Sequence, residues 1–251
     1  MLIRRMIASA AEDWKSSPTF IVIVAAVPFV LPLITIAAGV VHRPTFDMLT
    51  GEDRLGEWMQ VVAWLGATCF TGLLLLRFAR AQDALFAFLY GFFLCGLIFI
   101  VGEEISWGQR IFGFSTPETL SEINRQGESN LHNVYGVQTM FSWGMFVVGA
   151  YGTIMPCFAV WRWGSYRDWP FFAMRITPHW ILIPYFLLML VWRTYRNLFE
   201  PLRDYYYAIS EFGEVTELVL AIAFLLFSWH QWRVLGRDAA GESGGSPDIV
   251  G

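Results

Sequence analysis

The chain has 251 residues, of which 56% are hydrophobic and only 15% charged, with a formal net charge of −4. A soluble domain carries about 25% charged residues, so the composition excludes an ordinary soluble domain, and the acidic balance gives no footing for nucleic acid as a partner. The apolar residues are gathered into long runs, which is the membrane signature. The expected fold is an all-α polytopic membrane bundle over residues 1–235, with the Gly/Ser/Asp-rich segment 236–251 as a flexible tail.

Arg4 and Arg5 precede Ala8-Ser9-Ala10-Ala11-Glu12-Asp13, which is no apolar h-region, so a cleavable signal peptide is not expected. The spacing predicts six helical spans, at about 19–41, 57–76, 84–104, 134–160, 179–195 and 213–232. The first contains Pro28 and Pro32, whose freed carbonyls need donors from neighbouring helices. Between Glu57 and Arg77 lie 19 uncharged residues, and between Asp83 and Glu103 another 19. Only 15 residues separate Glu217 from Arg233, so the last span is expected to start near Gly213 and to carry Glu214 and Glu217 in its first turns. Cys69, Cys95 and Cys157 all fall inside apolar runs and form no Cys-x-x-Cys pair, so neither a disulfide framework nor a thiolate metal site is expected.

Three acidic stretches, Glu52-Asp53-Arg54-Leu55-Gly56-Glu57, Gly102-Glu103-Glu104-Ile105-Ser106-Trp107-Gly108-Gln109-Arg110 and Glu211-Phe212-Gly213-Glu214-Val215-Thr216-Glu217, abut spans on one side. Counting back from the opposite face puts Glu57, Glu103, Glu214 and Glu217 at similar depth. Acids beside lipid are costly and mark shared polar sites. If the third span continued to Phe112, Glu103 and Arg110 would lie two turns apart on one helix face. A short helix capped by Ser115 or Thr116 is expected from Ser-Thr-Pro-Glu at 115–118. After it comes Glu128-Ser129-Asn130-Leu131-His132-Asn133, whose imidazole and amides at the mouth of the fourth span suit metal ligation or proton relay, or else a helix cap. Arg193, Arg196 and Arg203, between the last two spans, are expected either to pair with the acids or to hold an anionic headgroup. His42, His179 and His230 read as interfacial, and Trp58, Trp107, Trp161, Trp163, Trp180, Trp192 and Trp232 as an aromatic belt.

Ten of the 17 basic residues fall on the side of the termini, including Arg77, Arg80, Arg162 and Arg167, and the other side holds 14 of the 21 acids. By the positive-inside tendency both termini are expected in the cytoplasm.

The motif Glu103-Glu104-Ile105-Ser106-Trp107-Gly108-Gln109-Arg110, with Asn130-Leu131-His132-Asn133, resembles a group of uncharacterised bacterial multi-pass membrane proteins; the resemblance implies no activity. A fainter similarity is to CAAX-type intramembrane proteases, whose Glu-Glu-x-x-x-Arg motif and later histidines activate water. Here five residues, not three, separate the glutamate pair from Arg110, position 128 is Glu where that family has Phe, and no His-x-x-x-Asn closes the set.

The expected function is an acidic, histidine-containing site at the extracytoplasmic face of a metal-dependent hydrolase or lipid-modifying enzyme. Its catalytic groups would be Glu104, Glu103 and His132. Glu104, His132, Glu214, Glu217 and Glu57 would bind a divalent Zn, Mn or Fe ion, and Arg110, Arg193, Arg196 and Asn130 would bind a lipid or membrane-peptide substrate. The alternative is a structural or assembly subunit that docks other membrane subunits through ion pairs. A transporter ranks third, because polar groups are concentrated at one face.

Overall fold

A computed structural model describes residues 2–51, 54–124, 127–200 and 206–242. Glu52, Asp53, Arg125, Arg203, Asp204 and the tail 243–251 lie outside the described residues. In chain order the helices are α1 (Leu2–Asp13), α2 (Pro18–Val41), α3 (Arg43–Thr50), α4 (Leu55–Arg80), α5 (Ala84–Glu104), α6 (Gln109–Phe112), α7 (Glu118–Ser121), α8 (Val137–Trp163), α9 (Phe171–Ile176), α10 (Ile183–Leu198) and α11 (Tyr206–Glu242). Among the described residues, six stretches are long and apolar enough to cross a membrane: Pro18–Val41, Arg43–Arg80, Ala84–Glu104, Val137–Trp163, Phe171–Leu198 and Tyr207–Val234. The fold is an all-α polytopic bundle.

Local signals explain where the helices begin. The Ser17 hydroxyl accepts the Phe20 N–H and Pro18 opens the first turn of α2. Asp83 caps α5 through the Phe86 N–H. In α4, Glu57 sits in the first turn and Arg77 and Arg80 in the last, each complementing the helix dipole. α2 runs unbroken through Pro28, and the Tyr185 hydroxyl of α10 donates to the Val24 carbonyl at 2.6 Å. That carbonyl is the one Pro28 leaves without its helical N–H, so the expected neighbouring donor is present.

The bundle centres on α4 and α11, which pack along each other more extensively than any other pair. The buried face of α4 carries Gln60, Trp64, Ala67, Thr71, Leu74 and Phe78, a stripe at helical spacing. Polar rungs join the pair: the Gln60 amide donates to the Glu214 carbonyl and carboxylate at 3.1 Å, and Thr71 and Ser228 share a hydroxyl hydrogen bond at 3.0 Å. Large side chains exposed on the outer faces, such as Phe29, Leu33, Phe88 and Phe92, are suited to lipid.

α8 and α10 pack closely because α8 presents glycine. A Cβ added at Gly149 would lie 2.7 Å from the Leu190 nitrogen, and one at Gly152 would lie 2.1 Å from the Phe186 ring. Backbone approach through small residues is the usual way membrane helices gain contact. Gly152→Val is therefore expected to destabilise the protein by about 1–3 kcal/mol, the ordinary cost of overpacking. Thermal unfolding in detergent measures this, and a variant as stable as wild type would contradict the packing.

The end of the bundle that gathers α1 and the far part of α11 is also polar. The Asp13 carboxylate accepts from Arg167 Nε at 3.0 Å and lies 3.3 Å from His179 Nε2, while His179 Nδ1 accepts the Ile181 N–H. His230 stacks on Trp14 with ring centroids 4.6 Å apart. Arg233 donates to the Ser16 hydroxyl, which places the far part of α11 beside α1. His179 and His230, expected at the interface, are both buried within the protein at this end, held by residues of α1 and its following turn.

The last span also differs from expectation. α11 starts at Tyr206, two turns before Gly213, because Tyr206–Phe212 continues the helix in spite of its weaker apolarity. Glu214 and Glu217 thus sit more than two turns inside the helix rather than at its mouth.

Candidate functional site

The end of the bundle opposite α1 holds a cavity of about 240 Å³. It is lined by Glu57 from α4, Ile100, Glu103 and Glu104 from α5, Arg110 from α6, His132 and Asn133 from the loop before α8, Gln138, Phe141, Ser142 and Met145 from α8, Arg193 from α10, and Ser210, Glu211, Glu214 and Glu217 from α11, together with Thr50. All four acids expected at common depth, Glu57, Glu103, Glu214 and Glu217, therefore line one space, and Glu104 and Glu211 join them.

The α5 end explains how. The helix stops at Glu104, and the backbone reverses through Ser106 (φ 47°), Trp107 (φ 52°) and Gly108 (φ 93°). Left-handed conformations at Ser and Trp are strained and need tertiary compensation. The Trp107 ring supplies it by folding back over Gly102, where a Cβ would lie 3.0 Å from the ring, and its indole N–H donates to Glu103 at 2.7 Å. The continuous helix to Phe112 is thus replaced by a kink. Arg110 turns away from Glu103 and instead pairs with Glu57 and, at 3.2 Å, with Glu128. Trp107, expected in the belt, acts as a structural clasp.

Both sequence motifs prove to be halves of one hydrogen-bonded plate. The Ser106 hydroxyl donates to Glu128 at 2.8 Å, and Gln109 accepts the Ser129 N–H at 2.7 Å and donates to Thr116 at 2.8 Å. Asn130 donates to Ser106 and Glu128 and accepts from Asn124. Thr116 donates to the Gly127 carbonyl rather than capping a helix; the short α7 follows Pro117. The plate anchors on Glu103, whose second oxygen accepts the Leu131 and His132 N–H groups at 2.7 and 2.8 Å and lies 3.3 Å from His132 Nδ1. Glu103 therefore orients His132, and with Nδ1 engaged, Nε2 is the ring atom left for proton exchange.

On the opposite wall Arg193 donates to Glu217 and to Met145 Sδ, and Glu214 is held by Gln60. Glu104 differs from all of these. Among the described residues its carboxylate takes part in no hydrogen bond or ion pair, although Glu217, Glu57, His132 and Arg110 are near enough for their charges to act on it.

Electrostatics outside the spans follows from this arrangement. Burial opposes the charge on His132, but the hydrogen bond to Glu103 and the fields of Glu104, Glu217 and Glu103 outweigh it and raise its pKa above the ordinary histidine value. Arg110 is likewise opposed by burial, and Glu57 and Glu128 more than restore it.

Of the sequence-expected residues, Glu57, Glu103, Glu104, Arg110, His132, Arg193, Glu214 and Glu217 share the cavity. Asn130 and Arg196 do not line it. The Asn130 side chain is fully buried and spent within the plate, so its expected substrate role is replaced by a structural one. The expected metal set does not fit as arranged: among the described residues no group of three His, Cys, Asp or Glu could hold a metal ion. Glu57 and Glu217 face arginines, and Glu103 is occupied by four N–H groups including the His132 ring. Gln60 and Glu128 carry functions that the sequence alone does not assign. Their signals are an amide inside an apolar span and a carboxylate in the immediate neighbourhood of the Asn-Leu-His motif.

No family model, curated protein or solved structure matches this chain.

Proposed function

We propose that the protein is a lipid-modifying enzyme of the bacterial inner membrane, with both termini cytoplasmic and its cavity at the extracytoplasmic face. The observation that carries the reading is the convergence, on one cavity, of an oriented imidazole and a carboxylate that makes no hydrogen bond or ion pair among the described residues. Glu103 fixes the His132 ring, His132 gives or takes a proton through Nε2, and Glu104 serves as the second acid–base group. Arg110 and Arg193 hold neighbouring carboxylates in place. No step is routed through a metal, since the donor set does not fit one.

The orientation rests on the basic residues of the terminal end, among them Arg77, Arg167 and Arg233. The assembly-subunit reading has weaker support, because the ion pairs Arg110–Glu57, Arg110–Glu128 and Arg193–Glu217 close within the chain. Transport has weaker support still: the buried core between the two polar ends contains Trp64, Phe186, Met189, Val219 and Phe227.

The test is a comparison of total lipid extracts from a deletion strain complemented with wild type, Glu104→Gln or His132→Asn at equal protein level. A lipid species converted by wild type alone is expected. Identical extracts from all strains would overturn the enzyme reading.

A further inference from the structure

The polar cavity has an apolar extension. Ile100, Glu104, Phe141, Met145 and Glu217 also line a second space of about 390 Å³, completed by Trp64, Phe99, Phe224 and others. It lies between α5 and α8, which meet at the Phe99–Phe141 ring pair, with centroids 5.9 Å apart, but are not packed along each other. A third apolar space shares Val148 and Phe224 with the second and reaches Leu89 and Arg175. The residues of α5 that line the two apolar spaces run from Glu104 to Leu89, roughly 22 Å at 1.5 Å per residue, a large part of a hydrocarbon core about 30 Å thick.

The chemistry at the two ends of this space is opposite. Carboxylates lining the polar cavity outnumber its cationic side chains two to one: Glu57, Glu103, Glu104, Glu211, Glu214 and Glu217 against Arg110, Arg193 and His132. Glu104, the carboxylate with no hydrogen bond or ion pair among the described residues, stands where the two spaces join. The cleft beyond is walled mostly by aromatic and aliphatic side chains, with Arg175 at the far space.

We infer that the joined space binds a single-chain amphiphile with a cationic head, in its simplest form a long-chain primary amine. The ammonium group sits beside Glu104, donating charge-assisted hydrogen bonds, and the hydrocarbon chain lies in the α5/α8 cleft. The inference rests on the reading of the cavity as a lipid-acting site and specifies its ligand class. An anionic head would face the excess of carboxylates. A neutral chain would gain the cleft but no ion pair.

The cleft offers its own control. Gly96 and Gly144 line it, and a Cβ added at either meets nothing within 4 Å. Leucine at these positions fills the cleft from opposite walls without colliding with the protein at its first atom.

The experiment uses full-length protein in neutral-lipid nanodiscs and three probes, octadecylamine, octadecanol and octadecanoate, each with a photoreactive diazirine in the chain. Labelled peptides are mapped by mass spectrometry. The amine is expected to label the α5 and α8 segments about tenfold more than either other probe, equivalent to about 1.4 kcal/mol of head-group preference. Glu104→Gln removes that preference, and Gly96→Leu with Gly144→Leu removes the labelling itself while the thermal unfolding temperature is retained. Equal labelling by all three probes in wild type means that bulk lipid fills the cleft and overturns the inference. So does amine labelling that survives both leucines. Amine selectivity without lipid conversion keeps this site and removes the enzyme reading; lipid conversion without amine selectivity does the reverse.

Discussion

Arg110→Met is expected to destabilise the protein by about 3–5 kcal/mol, the cost of breaking a buried ion pair from one side. Arg110, Glu57 and Glu128 are 11%, 13% and 19% exposed at their side chains, so the two glutamates it leaves behind have little water to replace it. They belong to different parts of the bundle: Glu57 opens α4, and Glu128 carries the plate that positions His132. Loss of the arginine therefore releases the plate as well as unpairing charge. Adding Glu57→Gln and Glu128→Gln to Arg110→Met is expected to restore most of the stability, because neutral amides need no counter-charge. Thermal unfolding in detergent distinguishes the cases. A single variant as stable as wild type would show that the pair is solvated and that Arg110 does not join the two segments.

Glu104→Gln is expected to have the opposite profile. Among the described residues the Glu104 carboxylate contributes no hydrogen bond or ion pair to the fold, and it lies among other carboxylates, so an isosteric neutral group relieves repulsion and leaves stability equal or higher. Activity is expected to fall about 10²–10⁴-fold, the usual contribution of a positioned acid–base group. The readout is the wild-type-specific lipid product against the unfolding temperature of the same preparation. A variant that keeps full conversion would remove Glu104 from the chemistry, and one that unfolds would show a structural role that the geometry does not contain.

Much of the architecture is legible in the sequence. The 19 uncharged residues between Asp83 and Glu103 mark α5 because Asp83 caps it and the glutamate pair ends it. The common depth of Glu57, Glu103 and Glu214 is legible because helices rise by a fixed amount per residue. The path of the chain beyond the glutamate pair is not legible. The kink at Ser106–Gly108 places two non-glycine residues at positive φ, which no local preference favours; only the closure of Trp107 on Gly102 and Glu103 makes it stable. Continuing the helix in its place assigns Arg110 the wrong partner, and Asn130 a ligand role that its bonds to Ser106 and Glu128 leave no room for. The burial of His179 escapes for a related reason. Its partner Asp13 lies on the first helix, so the pair is created by tertiary packing and has no local pattern.

The sign of the His132 shift has a direct consequence for stability. A raised folded-state pKa means that the folded protein holds the imidazolium more tightly than the unfolded chain. The stabilisation is fully present below the ordinary histidine value of about 6.5 and is lost as pH rises through the higher folded value.

Titration of His132 by NMR, with labelled histidine and His132→Asn to assign the resonance, tests the convergence on the cavity most directly. His132 is expected to titrate above the ordinary histidine range, and Glu104→Gln and Glu217→Gln are each expected to lower its midpoint, since both carboxylates act on the ring although Glu217 stands far away in sequence. An ordinary midpoint that neither substitution moves would place these groups apart and contradict the shared cavity.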